Sequence, residues 1–365
     1  MEVLYLADRN NPDHYLPMGP FVEEALRHRH ELRFFDPARP LAEQVAGAGA
    51  VIDDGLIDGS AQVVEIAAGL KLWQVAKTGF DDAPLAALQA SGIPTCNCPG
   101  YTSGAALGEC AMMLILMLAR RYNDGQENLF NSKAWWQPMG RELAGLKLGI
   151  IGFGASGQAL AHRARVFEME LYAINRSPID PELAAALPLA FAGTQDDLDR
   201  VIAECDVLSL HLPLDDVTRE IMDARRIGLM QRDASLVNVA RGGLVDQDAL
   251  FAALADGKIG GAGLDVFADE PPAPTPPAFR LPNLLGTPHI AGSTDGTFRR
   301  RGLLIADNLD RVEAGEEPLY RVASCGKTIG SRTDVAGRVV TRSAGDAAGR
   351  RRRPRWPPQG ASGRS

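Results

Sequence analysis

The chain has 365 residues, of which 45% are hydrophobic and 23% are charged, a composition ordinary for a soluble globular protein and sufficient for two domains. The net charge is −8, but residues 324–365 hold ten Lys or Arg and two Asp or Glu, which leaves −16 on the remainder. This acidic body argues against nucleic-acid binding. Because the chain opens on a strand pattern without signal-peptide features, and its longest apolar run is too short for a bilayer, we expect a cytoplasmic protein without membrane contact.

The five cysteines are Cys96, Cys98, Cys110, Cys205 and Cys325, and their spacing shows no disulfide framework. Cys96 and Cys98 have the spacing of a thiol pair, but the sequence offers neither a second pair nor clustered histidines to complete a metal site. We therefore expect buried structural thiols and no bound metal.

In chain order, the first hundred residues alternate between short apolar runs and helical patterns. The apolar runs predict strands at residues 3–7, 32–35, 51–52, 72–76 and 93–95. The helical patterns lie at residues 21–29, 62–68 and 83–89. This alternation predicts a parallel, doubly wound sheet. Residues 105–121 predict a long helix that is apolar on most sides, and we expect it to be buried between this sheet and a second one.

The second sheet begins with a glycine-rich turn. Lys147–Ile151 is a strand-like run, residues 158–167 have helical spacing, and residues 171–174 form another apolar run. The G-x-G-x-x-G spacing between the first run and the helix is formed by Gly152, Gly154 and Gly157. In this context Gly152 allows a tight turn out of the strand, and Gly154 allows a pyrophosphate to approach the backbone closely. Gly157 allows the helix to pack tightly against the sheet. The helix amino terminus then offers amide donors to phosphate, so we predict a dinucleotide site.

The end of the following strand bears on the choice of cofactor. NAD-binding proteins place an acidic residue there for the ribose hydroxyls, whereas an arginine accommodates the 2′-phosphate of NADP. This chain has Asn175, Arg176 and Ser177, without a carboxylate. A guanidinium between small polar groups suits a phosphate, so we predict a preference for NADP over NAD. The alternative is an arginine exposed in a loop with no ligand.

Further strand patterns lie at residues 205–212, 235–239, 261–266 and 284–288, and a last helix is predicted at residues 297–314. Ligands of open parallel sheets bind beyond the carboxyl ends of the strands, where Arg241, Glu270 and His289 stand. An arginine can grip a carboxylate, a histidine can transfer a proton near neutral pH, and a glutamate can orient that histidine. Together they suit hydride transfer between a nicotinamide and a 2-oxo acid, although each alone is compatible with a structural role.

Four segments then have to be considered together. They are residues 152–157, 237–246, 263–267 with 270–271, and 287–292. In order and spacing they closely resemble the D-isomer-specific 2-hydroxyacid dehydrogenase family. The resemblance implies two doubly wound α/β domains: a flavodoxin-like substrate domain (residues 1–100 plus 291–323) and a Rossmann NAD(P)-binding domain (residues 101–290). It also implies a homodimer formed through the nucleotide-binding domain, and a small 2-oxo or 2-hydroxy acid substrate of the glyoxylate, hydroxypyruvate or phosphoglycerate type.

The resemblance further implies roles for individual residues. Arg241 would bind and polarise the substrate, and Glu270 would pair with His289, the acid–base residue. Asp265 would hold the nicotinamide carboxamide. The substrate carboxylate would be held by the loop containing Lys77, Thr78, Gly79, Phe80 and Asp81. The remaining cofactor contacts would be Gly152, Gly154, Ala155, Ser156, Gly157, Asn175, Arg176, Ser177, His211, Pro213, Thr218, Val239, Ala240, Arg241, His289 and Gly292.

The chain departs from the family pattern at several positions. Lys77 replaces a common Gly and adds a cation to the substrate loop, which favours an unusual or dianionic substrate unless the lysine is simply solvated. Glu168 replaces the Gly that usually ends the glycine-turn helix, and a non-Gly residue in a left-handed C-cap costs about 1 kcal/mol. The basic tail, residues 324–365, resembles nothing in the family, and we expect it to be disordered.

The sequence identifies no particular hydroxy acid. Lys77, Thr78, Tyr101, Trp135 and Trp136 are the expected determinants of that choice, and the tryptophans are also expected at the dimer interface or in the partner's pocket. The alternative function is a non-catalytic, redox-sensing corepressor that binds NAD(P). Such a protein should lack an intact set of arginine, glutamate and histidine.

Overall fold

The structure, a computed structural model, describes residues 1–15, 17–57, 60–67, 69–80, 83–131, 134–272, 277–322 and 328–329. Its strands are β1 (Glu2–Asp8), β2 (Glu31–Phe35), β3 (Ala50–Asp53), β4 (Leu72–Val75), β5 (Thr95–Cys96), β6 (Lys147–Ile151), β7 (Glu170–Ile174), β8 (Phe191–Gly193), β9 (Val207–Leu210), β10 (Ser235–Asn238), β11 (Gly261–Leu264), β12 (Leu284–Gly286), β13 (Arg321–Val322) and β14 (Thr328–Ile329). Its α-helices are α1 (Pro12–Tyr15), α2 (Gly19–Leu26), α3 (Leu41–Val45), α4 (Ser60–Ile66), α5 (Leu85–Ser91), α6 (Gly104–Ala119), α7 (Tyr122–Asn131), α8 (Ala155–Ala164), α9 (Pro181–Ala186), α10 (Leu198–Glu204), α11 (Ala224–Ile227), α12 (Gln247–Ala255) and α13 (Asp295–Glu313).

The first sheet has the order β2-β1-β3-β4-β5-β13-β14. The strands from β2 to β5 are parallel, as predicted, while β13 and β14 add an antiparallel edge. The last helix, α13, packs on this sheet, because Ile305 and Leu309 are fully buried in one core with Tyr5 and Leu72. A small residue lets α13 approach α2 closely, since a Cβ at Gly302 would lie 2.8 Å from a backbone carbonyl oxygen of α2.

The second sheet has the order β8-β7-β6-β9-β10-β11-β12, and all its strands are parallel. Apolar strand residues on both faces are buried, as expected for a parallel sheet covered by helices. Because the strands are parallel, the loops after β6, β9, β10 and β11 reach the same edge. The strands β7 and β9 both flank β6, so the loops after them lie on either side of the glycine turn. The chain therefore has the predicted α/β architecture of two doubly wound, parallel-dominated sheets.

The long helix α6 differs from our expectation of burial between the two sheets. It packs against α8 and the second sheet, where a Cβ at Gly108 would lie 2.8 Å from the backbone nitrogen of Leu160. Another stripe of the helix faces solvent, and Met113 on that stripe is 41% exposed. Among the described residues, part of the apolar surface of α6 is therefore not covered by the rest of the chain.

Glu168 has the left-handed conformation expected at the end of the glycine-turn helix, with φ of 58°. The basic tail, residues 324–365, lies outside the described residues except for β14, a strand that we did not predict. Among the described residues, no helix combines the length and apolar character that crossing a bilayer requires.

Candidate active site

The glycine turn after β6 has the geometry that its spacing predicts. Gly152 has φ of +97°, in the region that favours glycine, and a Cβ at Gly157 would lie 2.3 Å from the carbonyl oxygen of Gly152. Gly154 and Ala155 are exposed at the start of α8. The N-cap residue is Gly154, which has no side chain that could cap the helix. The first amide groups of α8 therefore remain available to an anion.

His211, one of the expected cofactor contacts, lies against this turn, since a Cβ at Gly152 would meet the carbonyl oxygen of His211 at 2.5 Å. Its side chain is buried, with Nδ1 3.0 Å from Ser156 Oγ and Nε2 2.9 Å from Ser209 Oγ. Burial lowers the pKa of His211 to about 3, so the ring is neutral near pH 7. Ser156 accordingly has its hydroxyl bonded downward to the imidazole.

Thr218 is likewise buried, and its hydroxyl donates to the carbonyl oxygen of Pro213 at 2.7 Å. The same hydroxyl accepts from the backbone nitrogen of Asp215 at 2.8 Å. Thr218 therefore shapes the turn after β9 from within, whereas Pro213 in the same turn is exposed.

The residues that we assigned to the 2′-phosphate lie beside the glycine turn, with partners that the sequence did not indicate. Asn175 Oδ1 accepts from the backbone nitrogen of Phe153 at 3.4 Å, and its Nδ2 donates to the carbonyl of Ser177 at 3.1 Å. Arg176 Nη2 lies 2.5 Å from Asp215 Oδ2. The hydrogen bond from Arg176 is the main cause of the lowered pKa of Asp215, so this carboxylate is charged at neutral pH.

The loop after β10 carries Arg241 and is held by a buried residue that we did not single out. Asn238 donates from Nδ2 to the carbonyl of Arg241 at 2.8 Å, and its Oδ1 accepts from the backbone nitrogen of Ala240 at 3.0 Å. Val239 and Ala240 are both buried. Asn238 thereby fixes the backbone from which the guanidinium of Arg241 projects.

Asp265, which we expected to hold the nicotinamide carboxamide, directly follows β11. It is fully buried, and its carboxylate accepts from Thr287 Oγ1 at 2.6 Å and from the backbone nitrogens of Ile290 and Ala291 at 2.8 and 2.9 Å. The carbonyl of Asp265 also accepts from the backbone nitrogen of His289 at 2.8 Å. In this structure Asp265 fixes the loop that carries His289.

His289 and Glu270 are brought together by the loops after β12 and β11. Nδ1 of His289 lies 2.7 Å from Oε2 of Glu270, and Oε1 of Glu270 accepts from the backbone nitrogen of Phe267 at 2.9 Å. The two side chains are 51% and 35% exposed. His289 has φ of 53°, a left-handed conformation uncommon for a non-glycine residue. The surrounding hydrogen bonds therefore hold the imidazole at the surface in an unusual backbone conformation.

The expected substrate loop reaches the same region from the first sheet. Thr78 Oγ1 lies 3.3 Å from Ser103 Oγ, and Asn97 Nδ2 donates to the carbonyl of Thr78 at 2.8 Å. A Cβ at Gly292 would lie 3.9 Å from Cβ of Ser103, so Ser103 lies between the two loops. Lys77, Gly79 and Phe80 are half-buried in this loop, and Asp81 lies outside the described residues.

The other aromatic candidates lie in two places. The rings of Tyr101 and Tyr320 are 5.7 Å apart, and Tyr101 is 43% exposed. Trp135 and Trp136 are in edge contact at 6.4 Å and are 73% and 92% exposed.

The cysteines of the described residues are reduced, and Cys325 lies outside them. Burial raises the pKa of Cys96, Cys98, Cys110 and Cys205 to about 12, so these thiols are neutral. The described part of the chain contains no cluster of His, Cys, Asp or Glu that could hold a metal ion.

The parallel sheet, the glycine turn and the uncapped start of α8 define a Rossmann-type dinucleotide-binding protein. Residues 112–291 match the family model "D-isomer specific 2-hydroxyacid dehydrogenase, NAD binding domain". The chain is 36% identical over 255 residues to a hydroxypyruvate reductase from Thermotoga maritima, covering 68% of this chain and 80% of that protein. It belongs to the D-isomer specific 2-hydroxyacid dehydrogenase family.

Other relatives agree with this assignment. A D-3-phosphoglycerate dehydrogenase from Methanocaldococcus jannaschii is 33% identical over 310 residues, which are 82% of this chain but only 57% of that relative. The crystal structure of the TT0316 protein from Thermus thermophilus superposes with a TM-score of 0.75 at 34% identity, covering 88% of this chain and all of that one. Solved structures of this fold include complexes with NAD and with NADPH. The corepressor alternative has no support among these relatives.

Proposed function

We propose that the protein is a cytoplasmic NAD(P)-dependent dehydrogenase that interconverts a small 2-oxo acid and the corresponding D-2-hydroxy acid. The observation that carries this proposal is the 2.7 Å contact between His289 Nδ1 and Glu270 Oε2 at the strand edge that also bears Arg241. Both side chains are partly exposed, so the imidazole is directed to a ligand and not into the core.

Proton transfer is assigned to His289. Because Nδ1 is bonded to Glu270, Nε2 faces the substrate. During reduction, Nε2 gives its proton to the carbonyl oxygen as the hydride reaches the adjacent carbon, and during oxidation it takes the hydroxyl proton. Glu270 orients the ring through the contact between its Oε2 and His289 Nδ1, and Glu270 is itself held by the backbone amide of Phe267.

Substrate binding is assigned to Arg241 and the loop of the first sheet. The guanidinium of Arg241 binds the carboxylate through a forked pair of donors, and its charge polarises the carbonyl group that is reduced. The backbone amides of Lys77, Thr78 and Gly79 would hold the same carboxylate from the other side. Lys77 adds a positive charge to this loop and favours a dianionic acid.

Two features support the cofactor site. They are the amide groups at the start of α8 and the polar residues Asn175, Arg176 and Ser177 beside the glycine turn. A nicotinamide dinucleotide, when bound, supplies or accepts the hydride. Gly154, Ala155 and Ser156 would hold its pyrophosphate by their backbone nitrogens. Because Asn175 stands where an acidic ribose ligand is usual and Arg176 follows, we propose that NADP is preferred over NAD.

We also propose that residues 1–100 plus 291–323 form the substrate domain and residues 101–290 the nucleotide-binding domain. The packing of α13 on the first sheet supports the first assignment. Closure of the cleft between the domains would exclude water and align the two reactants.

A homodimer is proposed on the basis of exposed apolar side chains of the nucleotide-binding domain. Phe130, Trp136 and Met139 are 76%, 92% and 88% exposed, and Val166, which follows α8, is 76% exposed. Monomeric proteins rarely expose so many large apolar groups together. Light scattering coupled to gel filtration should report a dimer that Trp136→Ser converts to monomer. A wild-type monomer at micromolar concentration would contradict the proposal.

The activity is tested by following the absorbance of reduced nicotinamide with a panel of 2-oxo acids. We expect turnover with at least one of them, and His289→Gln should lower kcat by on the order of 10²–10⁴-fold. His28→Gln, which alters an exposed histidine after α2, serves as the control and should leave kcat unchanged. Cofactor binding without turnover of any acid would refute the enzyme and favour the corepressor.

A further inference from the structure

The ion pair between Arg176 and Asp215 spans the place where the adenosine end of a dinucleotide would lie. Arg176 follows β7 and Asp215 follows β9, and these strands flank β6 on its two sides. The contact between Arg176 Nη2 and Asp215 Oδ2, at 2.5 Å, therefore passes over the carboxyl end of β6, where the glycine turn begins. The guanidinium that our proposed function gives to the 2′-phosphate already has an anionic partner.

Asp215 is held firmly in its own turn, independently of the arginine. Its Oδ1 accepts from the backbone nitrogens of Val217 and Thr218 at 3.1 and 3.0 Å. Its backbone nitrogen donates to Thr218 Oγ1 at 2.8 Å. Because one carboxylate oxygen is fixed by the turn, the other is presented to Arg176 and cannot readily move away when a ligand arrives.

The contact is weak enough to be displaced. Arg176 is 54% exposed and Asp215 is 38% exposed, and ion pairs in such surroundings contribute little. A phosphate monoester carries about −1.5 to −2 charges and offers three acceptor oxygens to a guanidinium. A bound 2′-phosphate would therefore compete with Asp215 for Arg176, and the carboxylate would also repel it.

We propose that Asp215 limits the preference of the site for NADP over NAD by competing with the 2′-phosphate for Arg176. This inference rests on the proposed dinucleotide site. It concerns only the 2′-phosphate, since a cofactor with a free 2′-hydroxyl carries no charge there for Asp215 to oppose. Asp215 is thus a specificity-determining residue supplied by the loop after β9, not by the end of β7 where the choice is usually made.

The test is direct binding of 2′,5′-ADP and of 5′-ADP to the full-length protein, measured by isothermal titration calorimetry. Asp215→Asn keeps the Oδ1 acceptor of the turn and removes the charge facing Arg176. We expect it to raise the affinity for 2′,5′-ADP roughly three- to tenfold and to change that for 5′-ADP less than about twofold. Asp215→Ser, which also keeps a turn acceptor, should behave in the same way.

The matched control is Asp216→Asn, which removes the same charge from the next, exposed position and should change neither affinity by more than about twofold. In an Arg176→Gln background, Asp215→Asn should raise the affinity for 2′,5′-ADP by a smaller factor than in the wild type, because only the direct repulsion by the carboxylate is then removed. If the wild-type protein binds both nucleotides and Asp215→Asn leaves their affinity ratio unchanged or lowers it, the role of Asp215 is refuted. If the wild-type protein binds neither nucleotide, the dinucleotide site itself is refuted, and this inference fails with it.

Discussion

His211 gives a quantitative prediction for the pH dependence of stability. Burial lowers its pKa to about 3 in the folded protein, whereas an imidazole in an unfolded chain titrates near about 6.5. As the pH falls, the unfolded chain therefore binds a proton first. The stability contributed by a neutral His211 is complete above about pH 6.5 and is lost progressively as the pH falls to about 3.

The size of the effect follows from the difference between the two pKa values. It corresponds to about 5 kcal/mol over the full range, and about 2 kcal/mol of that is lost by pH 5. The physical reason is that a protonated ring would lie buried between the hydroxyls of Ser156 and Ser209, neither of which carries a compensating negative charge. Protonation would also convert the acceptor nitrogen of the ring into a donor, so the serine hydroxyl that donates to this nitrogen would lose its acceptor.

Urea unfolding at about pH 7.5 and pH 5 measures this quantity. His211→Gln retains one polar contact and should be less stable than the wild type by about 1 kcal/mol at the higher pH. Its stability should then fall by about 2 kcal/mol less than that of the wild type on going to pH 5. The exposed His28→Gln should follow the wild type. Equal pH dependence of the wild type and His211→Gln would refute the reasoning.

The remaining predictions concern the glycine turn, the loop of His289 and the C-cap of the glycine-turn helix. Gly157→Ala should lower the free energy of unfolding by about 2 kcal/mol or more in urea titrations, because its Cβ would meet a carbonyl oxygen at 2.3 Å. Gly154→Ala should leave that free energy unchanged, since a Cβ there meets no protein atom within 4 Å, but it should weaken nucleotide binding in calorimetry. Asp265→Asn places an amide donor against backbone N–H groups, so stability should fall by about 2 kcal/mol and kcat at least about tenfold. Glu168→Gly should raise the free energy of unfolding by about 1 kcal/mol, because it removes a side chain from a left-handed position.

The sequence predicted most of the strands and the glycine turn because their signals are local, whereas the short strands β8, β13 and β14 were missed. Lys147–Ile151 is a strand with the predicted bounds, and Gly152 and Gly157 occupy positions where a side chain would overlap backbone. The approach of Glu270 to His289 followed from topology, since parallel strands deliver their loops to one edge. Patterns of this kind require only periodicity and the direction of the strands.

The partners of polar groups in the loops were harder to predict. Asp265 stands one residue beyond β11, and the sequence does not specify whether its carboxylate turns towards a ligand or towards the amides of Ile290 and Ala291. Arg176 and Asp215 are 39 residues apart in sequence. They meet only because the loops after β7 and β9 lie on the two sides of β6. Such contacts depend on loop geometry, which neither spacing nor hydropathy encodes.

A signal for the supporting residues was nevertheless present in the strands. Ser209 is the one polar residue of β9, Asn238 ends β10 and Asp265 directly follows β11; all three are almost completely buried. A buried polar group is costly unless it is bonded, so each must have had a defined partner in the loop above it. Those partners are His211, the backbone around Arg241 and the backbone around His289. Polar interruptions near the carboxyl ends of parallel strands thus identify residues that hold a site in place, whereas the exposed residues beyond them are the candidates for chemistry.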